Sequence, residues 1–413
     1  MKAAIEAFKN HLNFDLLSNR SFLLLWVSGA FSRLGDAIFS VALPWLIVEQ
    51  TKSASALSFL FFAQVVPALI FGFHAGVLAD RFNRKRLLIV GDLARFVILA
   101  MFLFFYTFHQ LSLAIIYLGA VLLSTFSLYY EPTRAAVLPQ LVKRDDLSQA
   151  NAWLTTARNA VDIAGKAAGG FLLASFGAAV NFGFDGFTFL ISGICLAFLL
   201  ISGSSVQLTQ PIHKALAEGF GYLMRSPSLV RSITTLIIVN LAVADLTVSL
   251  PLLAVNLSIG SQGLGFALAL LSLGGTCGGL LLTFTSKRIS YTVGAFSASL
   301  GVGILLFFVS LFSSPIVLFT GLFLLGGAFA ASLSFVNTLM QMQIPPELLG
   351  RVMALRSLTL RVFPTLFFLV SGLIIPILGL TPTLTVIGVF VGLSTTVLWW
   401  FEKGPRSKRS VSN

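Results

Sequence analysis

Twelve apolar runs of about 20 to 28 residues limit what this chain can become. They fall at 21–48, 55–79, 87–107, 112–139, 152–175, 181–202, 229–252, 264–284, 291–312, 315–340, 352–376 and 382–401. A hydrocarbon core takes about 20 helical residues to cross. Inside it every backbone N–H and C=O must be satisfied within the protein, which helices do segment by segment. With 57% hydrophobic and only 10% charged residues, the chain is too apolar for a soluble domain. The fold class this predicts is an all-α integral membrane protein, with twelve transmembrane helices in two six-helix bundles.

The division into two comes from the longest polar stretch, Ser202 to Pro227, which separates six runs from six. The expected organisation is an N-terminal cytoplasmic segment 1–20, a bundle 21–202, a cytoplasmic linker 203–227, a bundle 228–402 and a basic tail 403–413. A faint internal repeat supports two related halves. Pro139 to Leu147 follows the fourth run and Gln343 to Val352 follows the tenth, each with an acidic residue and a Leu just before a new helix. Lys2 to Leu17 places Ile5, Phe8, Leu12 and Leu16 at helical spacing, which suits a helix lying on the membrane surface and equally a frayed tail. No secretory signal stands out, because the first run is too long and lacks a small-residue cleavage site.

A net charge of +12 is spread along the chain rather than gathered on a soluble face, so nucleic acid is not the expected partner. With the N-terminus inside, nineteen of the 27 Lys and Arg fall on the cytoplasmic side and only Lys52 on the other. Cationic loops resist translocation, so both termini are expected in the cytoplasm, with the protein in the plasma (inner) membrane. Cys195 and Cys277 sit in apolar runs without metal-ligand spacing and read as packed thiols. His11, His74, His109 and His213 form no catalytic pattern, and no phosphate-binding Gly-rich loop exists through which ATP would drive the protein directly. The chain is not expected to be an enzyme.

Gly76 to Arg86, G-V-L-A-D-R-F-N-R-K-R, places a carboxylate and four cations between two apolar runs. A Gly, an Asp-Arg four and five residues on, and a basic triplet resemble the loop between the second and third helices of major facilitator superfamily transporters. Leu16 to Arg95 is similar to the drug- and siderophore-efflux branch, which includes macrolide and enterobactin exporters. The matching residues are Arg20, Phe22 and Trp26, then Ser32 to Asp36, then Ala42-Leu43-Pro44. Leu138-Pro139, Leu147 and Ala150-Asn151-Ala152 extend the likeness, as does Gly350-Arg351-Val352. Two departures stand out. Asn83 replaces a Gly at a position read as left-handed, a conformation Asn tolerates. In the fifth run Lys166 stands where antiporters commonly have Pro, while Gly165 and Gly169 keep the spacing for close helix contact.

Ionisable groups in hydrocarbon cost about 2.5 to 3.5 kcal/mol each on insertion scales, so they must pair or line water. Depth counted along each run predicts two sets. The set near the cytoplasm is Asp92 with Arg95, Glu131 with Arg134, and Arg356, close to Gly76, Asp80, Arg81 and Arg84. The resemblance makes it a cytoplasmic gate that latches the halves together; i,i+3 structural pairing is the alternative. The second set lies near the midplane: Arg33 and Asp36, then Arg158, Asp162 and Lys166 at i,i+4, and Arg361. These are the expected proton-coupling or substrate-cavity residues, with Asp36 the preferred proton carrier, because burial raises a carboxylate's pKa while Arg33 opposes it. Asp162 with Lys166 also reads as a self-neutralising pair, which leaves Arg158 over. Asp185 and Asp245 are expected to reach interfacial water.

The implied function is secondary transport by alternating access, as proton-coupled export of a small amphipathic molecule. An anionic solute, such as a siderophore or lysophospholipid, is the alternative, and a silent membrane scaffold or receptor is the reading outside transport. The expected partners are a small-molecule substrate and the bilayer, with a monomer as the working unit. No cofactor is expected, the proton gradient supplying the energy.

Overall fold

The computed structural model describes residues 15–81, 83–200, 212–285, 289–311 and 314–403. Among the described residues all regular structure is helical. After a turn at Asp15–Ser18 come α1 (Arg20–Thr51), α2 (Ala54–Arg81), α3 (Arg84–Thr107), α4 (Leu113–Leu141), α5 (Leu147–Phe176) and α6 (Ala178–Ala197). Then follow α7 (Ile212–Arg225), α8 (Pro227–Asn256), α9 (Gly260–Thr285), α10 (Tyr291–Leu311), α11 (Pro315–Gln343), α12 (Pro346–Leu378) and α13 (Leu380–Lys403). Eleven of these helices are long and apolar enough to cross a membrane. The 30-residue α5 falls outside that group because Arg158, Asp162 and Lys166 interrupt it.

Local chemistry sets the helix ends. Pro begins α8, α11 and α12, where its missing N–H costs nothing. Gly177 at φ 79° turns α5 into α6, and Gly379 at φ 90° turns α12 into α13, both in backbone that side chains avoid. Asn83 corrects the sequence reading. Its φ is −61°, not left-handed, and its side chain accepts from the Arg86 N–H at 3.1 Å. Asn serves here as an N-cap for α3, satisfying a donor that a Gly would leave to water.

By internal contacts the chain forms two units, Met1–Leu46 with Ala63–Leu208, and Ile47–Phe62 with Thr209–Asn413. In the first, α5 lies against α1 through the expected glycines. A Cβ on Gly165 would stand 2.7 Å from Ala37 Cβ, and one on Gly169 would stand 2.8 Å from Ile38 Cα. Lipid supplies no hydrophobic drive between helices, so close backbone contact of this kind supplies dispersion attraction instead. Phe39, Phe102 and Phe182 stack beside it, with ring centroids 5.6 to 6.1 Å apart.

The second unit uses the same device twice. Gly278 of α9 meets Gly327 of α11, and Gly303 of α10 meets Gly388 and Gly392 of α13. Ser299 and Ser332 share a buried hydrogen bond of 2.7 Å between α10 and α11. The stretch read as a linker contains α7, which is bound to this unit. Glu218 pairs with Arg351 of α12, Tyr222 donates to the Gln343 carbonyl at 3.1 Å, and Leu223 is buried.

Candidate functional site

The charged residues of the first unit gather around Arg95 of α3, which is 1% exposed. Its guanidinium pairs with Asp92 one turn back and donates to the Gly91 carbonyl at 3.4 Å. It lies 4.2 Å from the Phe189 ring centroid and 5.2 Å from that of Tyr130, so aromatic faces cover the cation where no anion does. Asp92 is fully buried, and its second oxygen accepts from Ser192 on α6. That carboxylate is locked on both sides.

Asp36 of α1 is held loosely. Its oxygens stand 3.9 Å from Arg95 and 3.8 Å from Arg33, and its side chain is 34% exposed. A unit-charge pair at that distance is worth between about 1 kcal/mol in water and about 4 kcal/mol at an effective dielectric of 20. Exposure puts Asp36 toward the lower end. Asp185 of α6 completes the group. It is 2% exposed, has one oxygen without a hydrogen-bond partner, and feels the charges of Asp36 and Arg95. It also fills the space beside Gly35, where a Cβ would run into its carboxylate and Thr188. One buried cation thus serves three carboxylates, only one of which meets water.

A second group joins α4 and α5. Glu131 binds Arg134 at 2.8 Å and faces Arg158 at 3.7 Å. Arg33, Glu131, Arg134 and Arg158 line one cavity with Trp26 and Tyr130, so three cations and one carboxylate share its wall. Lys166 binds Asp162 at 2.6 Å within α5. Arg158 is therefore not left over; it turns to α4 while the other two residues of the row pair together. Arg84 ties the start of α3 to α4 by donating to the Ala136 carbonyl at 3.0 Å.

The two sets expected from depth are connected, Arg95 reaching Asp36 and Arg158 reaching Glu131. An arginine carries its charge several bonds from its backbone, so the depth of the Cα is not that of the charge. Asp185 and Asp245 do not reach interfacial water as expected; they are 2% and 0% exposed, enclosed by neighbouring helices. Counting residues along a run gives depth but says nothing of which face is covered. The second unit holds Arg356, half-buried, and Arg361, exposed. Gly76, Asp80 and Arg81 have side chains outside the described residues, as do residues 1–14 of the expected surface helix. Sequence reasoning missed Tyr130, Phe189 and Ser192, which carry no signal among so many apolar and hydroxyl neighbours.

An integral, multi-pass helical membrane protein with ion-paired charge between its helices is the class these features define. The family described as transmembrane secretion effector matches residues 13–398, and the chain belongs to this branch of the major facilitator superfamily. It is similar to the staphyloferrin A transporter of Staphylococcus aureus, 24% identical over 393 residues, covering 92% of this chain and 96% of that protein. It is 25% identical to the multidrug efflux pump Tap of Mycolicibacterium fortuitum over 345 residues, 80% of this chain and 83% of the pump. The crystal structure of the nucleoside transporter NupG shares the fold, with a TM-score of 0.76 at 12% identity over 93% of this chain and 99% of that one. The family is one of transporters of small molecules, not of enzymes, as the resemblance implied.

Proposed function

We propose that this chain is a proton-coupled exporter of a small amphipathic molecule, working by alternating access between two bundles of six membrane helices. The observation that carries the reading is the arrangement of three carboxylates around the single buried cation Arg95. Arg95 and the partly exposed Arg33 are two cations for three carboxylates, so the group is one charge short and gains stability by taking up a proton. Asp36, partly exposed and loosely held, is the carrier that exchanges them. Protonating it weakens its hold on Arg95 and Arg33, which are then free to respond to substrate. Efflux-pump relatives support the outward direction.

In this reading both termini face the cytoplasm of a plasma-membrane monomer, with 203–227 linking the bundles 21–202 and 228–402. Asp80, Arg81, Arg84, Arg134 and Arg356 belong to the latch that opens and closes the cytoplasmic side. The test is flux into inside-out vesicles, with and without a pH gradient, across a panel of cationic and anionic amphiphiles. Uptake should follow the gradient and collapse with an uncoupler. Gradient-independent uptake would sink proton coupling.

A specific observation favours a second reading, an anionic solute. The cavity of Arg33, Arg134 and Arg158 has three cations against Glu131 alone, and on α5 Lys166, outside that wall and paired with Asp162, becomes a further cation once Asp162 is protonated. If that surface receives an anion, Lys166→Gln weakens its binding by about 2 to 5 kcal/mol while Asp162→Asn does not. Equal binding by wild type and Lys166→Gln returns the choice to a neutral or cationic drug.

A further inference from the structure

Asp245 lies deep in the second unit, and among the described residues no cation pairs with it. It is fully buried on α8, as are Ser249 one turn on and Ser371 of α12. The Ser249 hydroxyl donates to one Asp245 oxygen at a long 3.4 Å. The other oxygen has no hydrogen-bond partner, and neither have the Ser371 hydroxyl beside it or the buried Ser58 hydroxyl of α2. Gly372, next to Ser371, meets α2. Its carbonyl accepts from Ser55 at 2.7 Å, and a Cβ there would run into Ser58, so α2 packs on α12 beside Ser371.

Every element packed against α8 leaves this carboxylate alone. On α12 Arg361 is ten residues before Ser371, about 15 Å along the helix, and Arg356, Arg351 and Glu347 are farther. Arg231 stands fourteen residues back on α8 itself, about 21 Å away, and Lys52 lines a pocket with Asn256, about 16 Å in the other direction. Glu218, Tyr222 and Arg225 of α7 and Tyr291 of α10 lie toward Arg231's end of α8, and Glu49 is in the last turn of α1, just before Lys52. Neither α9 nor α11 has an Asp, Glu, Lys or Arg, and Glu402 and Lys403 of α13 have side chains outside those described. No ion pair reaches Asp245 among the described residues.

A carboxylate buried without a cation costs several kcal/mol, and taking up a proton removes that cost. We propose that Asp245, with Ser249 and Ser371, is a proton-binding site of the second unit. The acid O–H, its proton drawn from water, donates to the vacant Ser371 oxygen, and the Ser249 hydroxyl donates to the acid carbonyl. The orphaned oxygens of Asp245 and Ser371 then have partners. The site needs neither the substrate nor the Arg95 cluster, so it gives the second unit its own group that changes charge when α2 parts from α12 and water enters.

Infrared difference spectroscopy of the purified full-length protein in H2O and D2O tests this directly. Wild type at neutral pH should show a carboxylic-acid C=O stretch that shifts in D2O and is lost in Asp245→Asn. Ser371→Ala should keep the band and displace it, and Asp36→Asn should leave it unchanged, which separates this proposal from the coupling role given to Asp36. An unchanged band in Asp245→Asn, its loss in Asp36→Asn, or its replacement by a carboxylate stretch when Na+ is added at constant pH would overturn the assignment. Should Asp245→Asn fail to fold, Ser371→Ala decides: an undisplaced band contradicts the geometry.

Discussion

The two units keep buried acid in opposite ways. In the first, Asp92 is clamped by Arg95 and Ser192, and the guanidinium is shared with Asp36 and flanked by Asp185. In the second, Asp245 has hydroxyls alone. The first arrangement balances its carboxylates against shared cations, so loss of Arg95 leaves Asp92 buried without a counter-charge. The second stores a proton, and its neutral form is the stable one. The proposed alternating cycle would use both, because an ion-pair cluster responds to a substrate's charge and an isolated acid responds to water.

The largest expected effect separates the two. Arg95→Leu should lower stability by about 3 to 5 kcal/mol, because Asp92 is left buried without its cation. Asp245→Asn should cost less than about 1 kcal/mol, because amide and neutral acid are near-isosteric and no charge partner is lost. Unfolding in detergent compares the two directly. A loss for Asp245→Asn as large as that for Arg95→Leu would mean the second acid is also paired.

A packing change gives the next effect and leaves the charges alone. Gly169→Val places a branched side chain against the Ile38 backbone, which cannot yield as a flexible side chain would. It should cost about 1 to 3 kcal/mol and separate α5 from α1, which carries Asp36. Melting temperature and coupled flux should fall together. Intact coupling in this variant would uncouple the cluster from the helix seam that positions it.

The smallest effect lies at a charge pair outside the cluster. Glu218 and Arg351 are 45% and 32% exposed. Glu218→Ala should change stability by no more than about 1 kcal/mol, and salt should erase the difference. A larger, salt-insensitive loss would make α7 a structural member of the second unit rather than a strap along it.

Much of this was legible in the sequence because bilayer physics admits few solutions. Apolar runs of the right length become helices, and the spacing of Gly165 and Gly169 permits the close approach to α1 that the structure shows. What failed was anything that depends on which face is covered. Asp185 and Asp245 look alike as single acids in apolar runs, yet one stands by a guanidinium and the other by serines. Arg158 looked like the remainder of a row because its partner Glu131 is 27 residues away on another helix. Asn83 was assigned a backbone role when its amide was needed for a cap. The helix α7 was hidden by polar neighbours, its apolar side covering only one stripe.

Asp36 is the proposed exchangeable proton carrier of the Arg95 cluster. The direct measurement is transport by Asp36→Asn in vesicles, run once with a pH gradient and once as substrate exchange without one. Gradient-driven export should be abolished while exchange continues at near the wild-type rate, because an amide mimics the protonated form without blocking the proposed movement of the bundles. Full gradient-driven export by Asp36→Asn would contradict this role and move the carrier to Asp185 or Asp162.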